Sequence, residues 1–312
     1  MLTGGRGTMV DIAGLLEADA PAQASDDVRF SYSRPEHGAF KRYMIQTVEA
    51  LTGAPALERL YRDWARNPRP GEDVFAAAMR LLNLRLEFAE NALAHVPRTG
   101  PVLFIANHPF GIADGLALGY LATRIRPDVK IMTHSLLCQP PEARDYLLPV
   151  DFGGTEEARQ VSLLTRRRTQ DWLKAGHAVA IFPAGGVSTA QRPVSGPALD
   201  GVWHPFTAKL ARIPGVRTIP VHFSGQNSRL FQILSHVHYA LRIAVIFHET
   251  RRLMGRSIPV TVGEAIDASA LAEHGDRTAV LRHLREQTLR LAGPDGPDPH
   301  VEFRWPAHIN AD

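Results

Sequence analysis

A histidine and an aspartate six residues apart, His108 and Asp114, are the pair in this chain best suited to moving a proton. His108 follows Asn107 at the end of the apolar run VLFIA (102–106), and Asp114 opens the amphipathic stretch 114–125. An imidazole at that place can take a proton from an alcohol, and a carboxylate beside it can fix the tautomer and stabilise the imidazolium that forms. Gly111 permits the tight backbone path that would fold the two side chains together. On spacing alone a second reading stands level with the first. Asp114 is also a good helix cap, which stabilises by about 1 kcal/mol without any chemistry, and His108 is then an ordinary loop histidine.

A second candidate loop, Phe182 to Thr189, follows the run AVAIF (178–182). Its Gly185-Gly186 pair, with Ser188 close by, exposes backbone N–H groups able to cradle a phosphate or an oxyanion. Taken by itself it reads as a plain turn, and two such loops on one sheet edge shift the balance toward a site. Arg166-Arg167-Arg168 reads first as a solvated helix face and second as a contact for phosphates. Lys209, in WHPFTAKLARI, is placed to reach a phosphate from the same rim. His222, His236 and His238 fall in different elements and make no zinc ligand set.

These loops need a frame to hold them. Short apolar runs at 102–106, 129–133, 178–182, 216–223, 242–247 and 258–262 alternate with helical patterns at 114–125, 155–175, 204–213, 227–239 and 277–291. Such alternation predicts an α/β fold, a mostly parallel sheet flanked by helices, with functional groups just past the carboxyl ends of strands. Upstream, three-to-four spacing of Tyr43, Val48 and Leu51, then Leu57, Leu60, Tyr61 and Trp64, predicts an N-terminal helical extension. A longer helix is expected beyond NPRPGED, through Phe75, Met79, Leu82, Leu86 and Phe88. The expected division is a loose arm at 1–38, the helical extension at 39–96, an α/β domain at 97–292 and a tail at 293–312. The aromatic stripes of the extension suit either a bilayer surface or the α/β core.

A net charge of +3 gives no case for nucleic acid. Only Lys41, Lys130, Lys174 and Lys209 are lysines, so arginine supplies nearly all the positive charge; forks suit phosphates, but codon bias explains the count as well. The single cysteine, Cys138, excludes an internal disulfide and reads as a buried thiol in a reducing compartment. Residues 1–25 lack the order of a signal peptide, and no run is long enough to span a bilayer. The expectation is a cytoplasmic protein peripheral to the inner face of the membrane.

From Val102 to about Ile266 the chain resembles the glycerolipid and lysophospholipid O-acyltransferases, and within them the bacterial haemolysin-like branch. The resemblance covers a little over half the chain. Asn107, His108 and Asp114 match a first block; Phe182, Pro183, Gly185 and Ser188 a third; Ile219, Pro220 and Val221 a fourth. Two departures stand out. Five residues separate His108 from Asp114 where the family commonly has four, a length the haemolysin-like branch tolerates, and Ala184 occupies the place of a widespread glutamate. The missing glutamate argues against simple glycerol phosphate or lysophosphatidate acceptors. The second block, which normally brings a phosphate-binding arginine, has no clean counterpart, although Arg159 is near.

The resemblance implies transfer of a fatty acyl group from acyl-CoA or acyl-carrier protein to a hydroxyl of a lyso-lipid or glycerolipid. His108 is the implied base, oriented by Asp114. Asn107, Pro183, Gly185 and Ser188 from the matched blocks, with Gly111, Gly186 and Lys209 from the loops themselves, are the candidate substrate-binding residues, with no metal and no cofactor expected beyond the thioester co-substrate. Rival readings are an acyl thioesterase or lipid hydrolase using the same pair, and a non-catalytic lipid-binding protein on the same fold. No Gly-x-Ser-x-Gly elbow supports a serine hydrolase, and no G-x-G-x-x-G follows a strand.

Overall fold

The computed structural model describes residues 53–134, 140–150 and 156–306, with positions 28, 30, 31, 38, 42, 43, 45–47, 49 and 309 outside those ranges. Cys138, Val48, Leu51 and most of the expected arm lie outside the described residues.

Helices α1 (Ala54–Arg66) and α2 (Val74–Leu81) lead into a short strand β1 (Arg85–Glu87). Next come β2 (Val102–Ala106), α3 (Ile112–Thr123), β3 (Lys130–His134), β4 (Leu147–Val150), α4 (Glu156–Lys174) and β5 (Ala178–Ile181). A hairpin of β6 (Thr189–Arg192) and β7 (Ser195–Leu199) precedes α5 (Phe206–Ala211) and β8 (Arg217–Phe223). The chain closes with α6 (Arg229–Val237), α7 (Tyr239–Ala244), α8 (Ile246–Leu253), β9 (Ser257–Val262), β10 (Ile266–Asp267), α9 (Ala268–Ala272) and α10 (Arg277–Leu289).

The main sheet has the order β1-β9-β8-β2-β5-β3-β4, with β10 also paired to β8. Strands β8, β2, β5, β3 and β4 run parallel to one another, while β9 and β10 are antiparallel to β8. The fold is therefore α/β with a mostly parallel sheet. Every residue of β2 and β5 is buried, because helices cover both faces. Side chains alternate between those faces. Val102, Phe104 and Ala106 share one core with residues of α1, α2, α3 and α8, and Leu103 and Ile105 share another with α4, α5 and α10.

Two expectations need correction. The helix drawn through Leu86 ends at Leu81, because Asn83 turns left-handed (φ 48°) and the amide of Leu84 bonds back to Met79, so Leu86 becomes the centre of β1. The run 242–247 is not a strand. It falls in α7 and α8, with His238 capping α7 by accepting the Ala240 amide at 3.0 Å. The apolar residues 243–247, all buried except the half-buried Ile243, are too short a run to carry a period that separates strand from helix. The aromatic stripe of α1 faces inward, with Leu57, Tyr61 and Trp64 all buried. Among the described residues no helix is long and apolar enough to cross a membrane.

Candidate active site

Register places the key loops side by side. Ile105 of β2 pairs with Ile181 of β5, and Ala106 pairs with Val221 of β8, so the loops after β2, β5 and β8 leave the same carboxyl edge. The first carries His108. Gly111 sits at φ 82°, and a side chain there would drive into Ile246 and Val187. That turn sends the chain into α3 with Gly111, not Asp114, at the cap position. Asp114 lies in the first helical turn and points back over the loop.

There it meets His108. Nδ1 of His108 lies 2.9 Å from Oδ1 of Asp114, an approach oblique to the ring N–H, while Oδ2 accepts the Phe110 amide at 2.7 Å. Asp114 is wholly buried and His108 is 16% exposed, so the carboxylate is shielded and the imidazole accessible. A carboxylate at Nδ1 favours the tautomer protonated there. Nε2 is left without a hydrogen-bond partner among the described residues, and His108 lines a cavity of about 570 Å³. The ring stacks on Phe182, centroids 4.1 Å apart, which fixes its plane.

The loop after β5 divides its groups in a way the Gly-Gly spacing does not disclose. Gly185 donates its amide to Phe182 O at 2.9 Å and Ser188 donates its amide to His108 O at 2.7 Å. The N–H groups of Ala184, Gly186 and Val187 remain unpaired among the described residues, and all three residues line the cavity. Pro183, Gly185 and Gly111 line it too. Ser188 does not: it is buried, and its hydroxyl donates to Asp200 at 2.5 Å. Asn107 is equally occupied, donating to Phe223 O at 2.9 Å and accepting the Phe223 amide at 2.7 Å, which ties the loop to the end of β8. Lys209 is exposed and borders a separate cavity with Arg166, Arg167, His204 and Arg277. Arg159 pairs with Glu156 on the surface, and burial pushes His222 down to about 4.

Sequence reasoning passes over two residues here, Asp200 and Arg242. Asp200 accepts the Ser188 hydroxyl, the Trp203 indole N–H at 3.0 Å and the His108 amide at 3.3 Å, joining both loops. Its only outward sign is an Asp-Gly turn after an unrecognised hairpin. Arg242 lies at the cavity wall, flagged only by a charge beside an apolar run. Arg166 borders both cavities.

The large cavity suits a long apolar ligand. Its volume falls within the range of about 300–1,000 Å³ usual for ligand sites. Leu57 and Trp64 of α1, Phe75 of α2, Leu116 of α3 and Ile243 and Phe247 of α7 and α8 give it an apolar lining. His108, the Gly185–Gly186 turn and Arg242 are among its polar lining groups. Among the described residues no group of three or more His, Cys, Asp or Glu could hold a metal ion.

An accessible imidazole beside a buried carboxylate thus opens into a lipid-sized cavity of an α/β fold. The chain belongs to an acyltransferase family, whose model matches residues 56–288, about three quarters of its length. It is similar to a lyso-glycine lipid O-acyltransferase of Phocaeicola vulgatus, 27% identical over 236 residues, which span 72% of this chain and 79% of that one. A second protein of that description, from Bacteroides thetaiotaomicron, is 30% identical over 175 residues, 55% of this chain and 60% of the other. Among solved structures, a 1-acyl-sn-glycerophosphate acyltransferase from Thermotoga maritima aligns over 80% of this chain and 87% of its own, at 15% identity and a TM-score of 0.42.

Proposed function

We propose that this acyltransferase moves a fatty acyl group from an acyl thioester to the hydroxyl of a lyso-lipid, with lyso-glycine lipids the acceptor class. The contact between His108 and Asp114, with His108 lining a mainly apolar cavity, carries the reading. Nε2 takes the acceptor's hydroxyl proton as the oxygen attacks the thioester carbonyl carbon. The tetrahedral intermediate holds its oxyanion near the Gly186 and Val187 amides. Its collapse breaks the C–S bond, and the departing thiolate recovers the proton from the imidazolium. The relatives' description supports the acceptor, and the five-residue spacing between His108 and Asp114 supports the haemolysin-like branch.

The test is to incubate the pure protein with labelled acyl-CoA or acyl-carrier protein and a panel of lyso-lipids. Label appearing in a diacyl glycine lipid is the expected result. Free fatty acid as the sole product would transfer the reading to a thioesterase. No turnover with any pair would leave lipid binding alone.

The donor enters by the second cavity. Arg166, Arg167, Lys209 and Arg277 surround its 310 Å³ with no described acidic neighbour in the lining, and it adjoins the large cavity at Arg166, His204 and Phe206. Four cations there suit the phosphates of a pantetheine carrier. Charge reversal in Arg167→Glu with Lys209→Glu is expected to raise the donor KM about tenfold at low salt, with the effect shrinking as ionic strength rises. A donor KM that does not move would place the carrier elsewhere. The lipid surface we assign to α6, where Leu230, Ile233 and Val237 form an exposed apolar stripe. The inward-facing α1 is left to the core.

A further inference from the structure

We propose that Arg242 is the subsite for a carboxylate on the acceptor's head group, a reading that builds on acyl transfer at His108 but rests on its own observations. Arg242 sits in α7 with a side chain almost wholly removed from solvent, 3% exposed as a residue. It has no carboxylate within ion-pair distance, so its charge has no partner among the described residues. More telling, no described aspartate or glutamate lines the cavity at all. Burying a guanidinium without an anion is unfavourable unless something else meets the charge.

What the protein provides is neutral. Nη1 donates to the Thr189 and Ser235 hydroxyls, Nη2 donates to Val187 O, and the guanidinium lies 4.8 Å from the Phe231 ring and 5.0 Å from that of Trp305. These contacts fix its plane. They use three of its five N–H donors, leaving Nε and one Nη2 hydrogen, the number a carboxylate accepts side by side. Burial draws its proton affinity down to about 10, which keeps it charged at neutral pH.

Position supports the assignment. Val187, which accepts from Arg242, is next to Ser188, whose amide holds His108 O. Arg242 and His108 thus both contact the same loop and line one cavity. A head group held at Arg242 leaves its own chain to run toward His108. The ligand is a monoanion, because one buried guanidinium balances one charge, whereas a phosphate monoester brings about −1.5 to −2. A glycine attached through its nitrogen retains such a carboxylate, and one attached through its carboxyl does not.

The experiment uses the full-length protein and N-palmitoylglycine, which lacks an acceptor hydroxyl and therefore only binds. Calorimetric titration is run with this acid, with its methyl ester and with lysophosphatidate. The acid is expected to bind about 100-fold more tightly than the ester. Arg242→Gln should collapse that ratio toward one, and Arg242→Lys, which keeps charge but loses the fork, should retain part of it. A merely structural arginine would weaken acid and ester alike and leave the ratio standing, which overturns the assignment. So does a wild-type ratio near one, a measurement that needs no variant to fold. Lysophosphatidate binding more tightly than the acid, and losing that advantage in Arg242→Gln, would make the subsite a phosphate site. Acid binding without acylation of any hydroxylated lipid would sink the proposed reaction and leave the subsite intact.

Discussion

His108→Ala is expected to lower kcat about a thousandfold, within the ~10²–10⁴ range for a general base, while the melting temperature barely changes. The imidazole is partly exposed and its one close polar neighbour is Asp114, so removing it strips no buried donor of its acceptor. Asp114→Asn is the sharper variant. The amide fits the same buried space and still accepts from Phe110, but it offers no negative charge to Nδ1. Loss of tautomer control and of imidazolium stabilisation should lower kcat about a hundredfold or more. The two residues act as a unit, so the double variant should be little slower than His108→Ala alone. Steady-state rates with saturating donor and acceptor decide the matter. More than a tenth of wild-type kcat in His108→Ala would remove the base from the mechanism.

That pair was legible because it follows local rules. A buried strand, a glycine turn and a helix start lie within a few residues, and register in a parallel sheet brings the next loop alongside. The parallel core was legible for the same reason, since continuous apolar runs separated by amphipathic ones have few other solutions. What failed was context. Residues 242–247 look like a strand because so short an apolar run carries no readable period, and only the packed fold shows them turning as helices. Leu86 looked helical until Asn83 reversed the chain before it. Ser188 and Asn107 matched a motif, and the fold spends their polar atoms on each loop's support rather than on ligand. Arg242 and Asp200 lie far in sequence from the loops they serve, 55 residues from Val187 to Arg242 and 92 from His108 to Asp200, and no local pattern reports a contact at such range.

Asp200 carries the second large expectation. Its buried carboxylate is the common acceptor for donors from the His108 loop, the β5 loop and Trp203. Arg285 braces the same corner, donating to the carbonyls of Asp200, Gly201, Pro299 and Val301. Asp200→Ala strands those three donors in the interior and is expected to destabilise the fold by about 3–5 kcal/mol, read as a fall in melting temperature of about 10 °C. Ser188→Ala removes one donor and leaves the acceptor with two, so about 1 kcal/mol is expected. Activity separates support from mere stability. Asp200→Asn fills the same space but turns an amide N–H toward one of the donors, tilting the backbone that carries His108. Measured well below its melting temperature, this variant should lose kcat about tenfold or more, since small misplacements of a catalytic group are expensive in rate. Acceptor KM should scarcely change, because the cavity walls and Arg242 are untouched. A variant that melts early yet turns over normally when folded would reduce Asp200 to a structural strut.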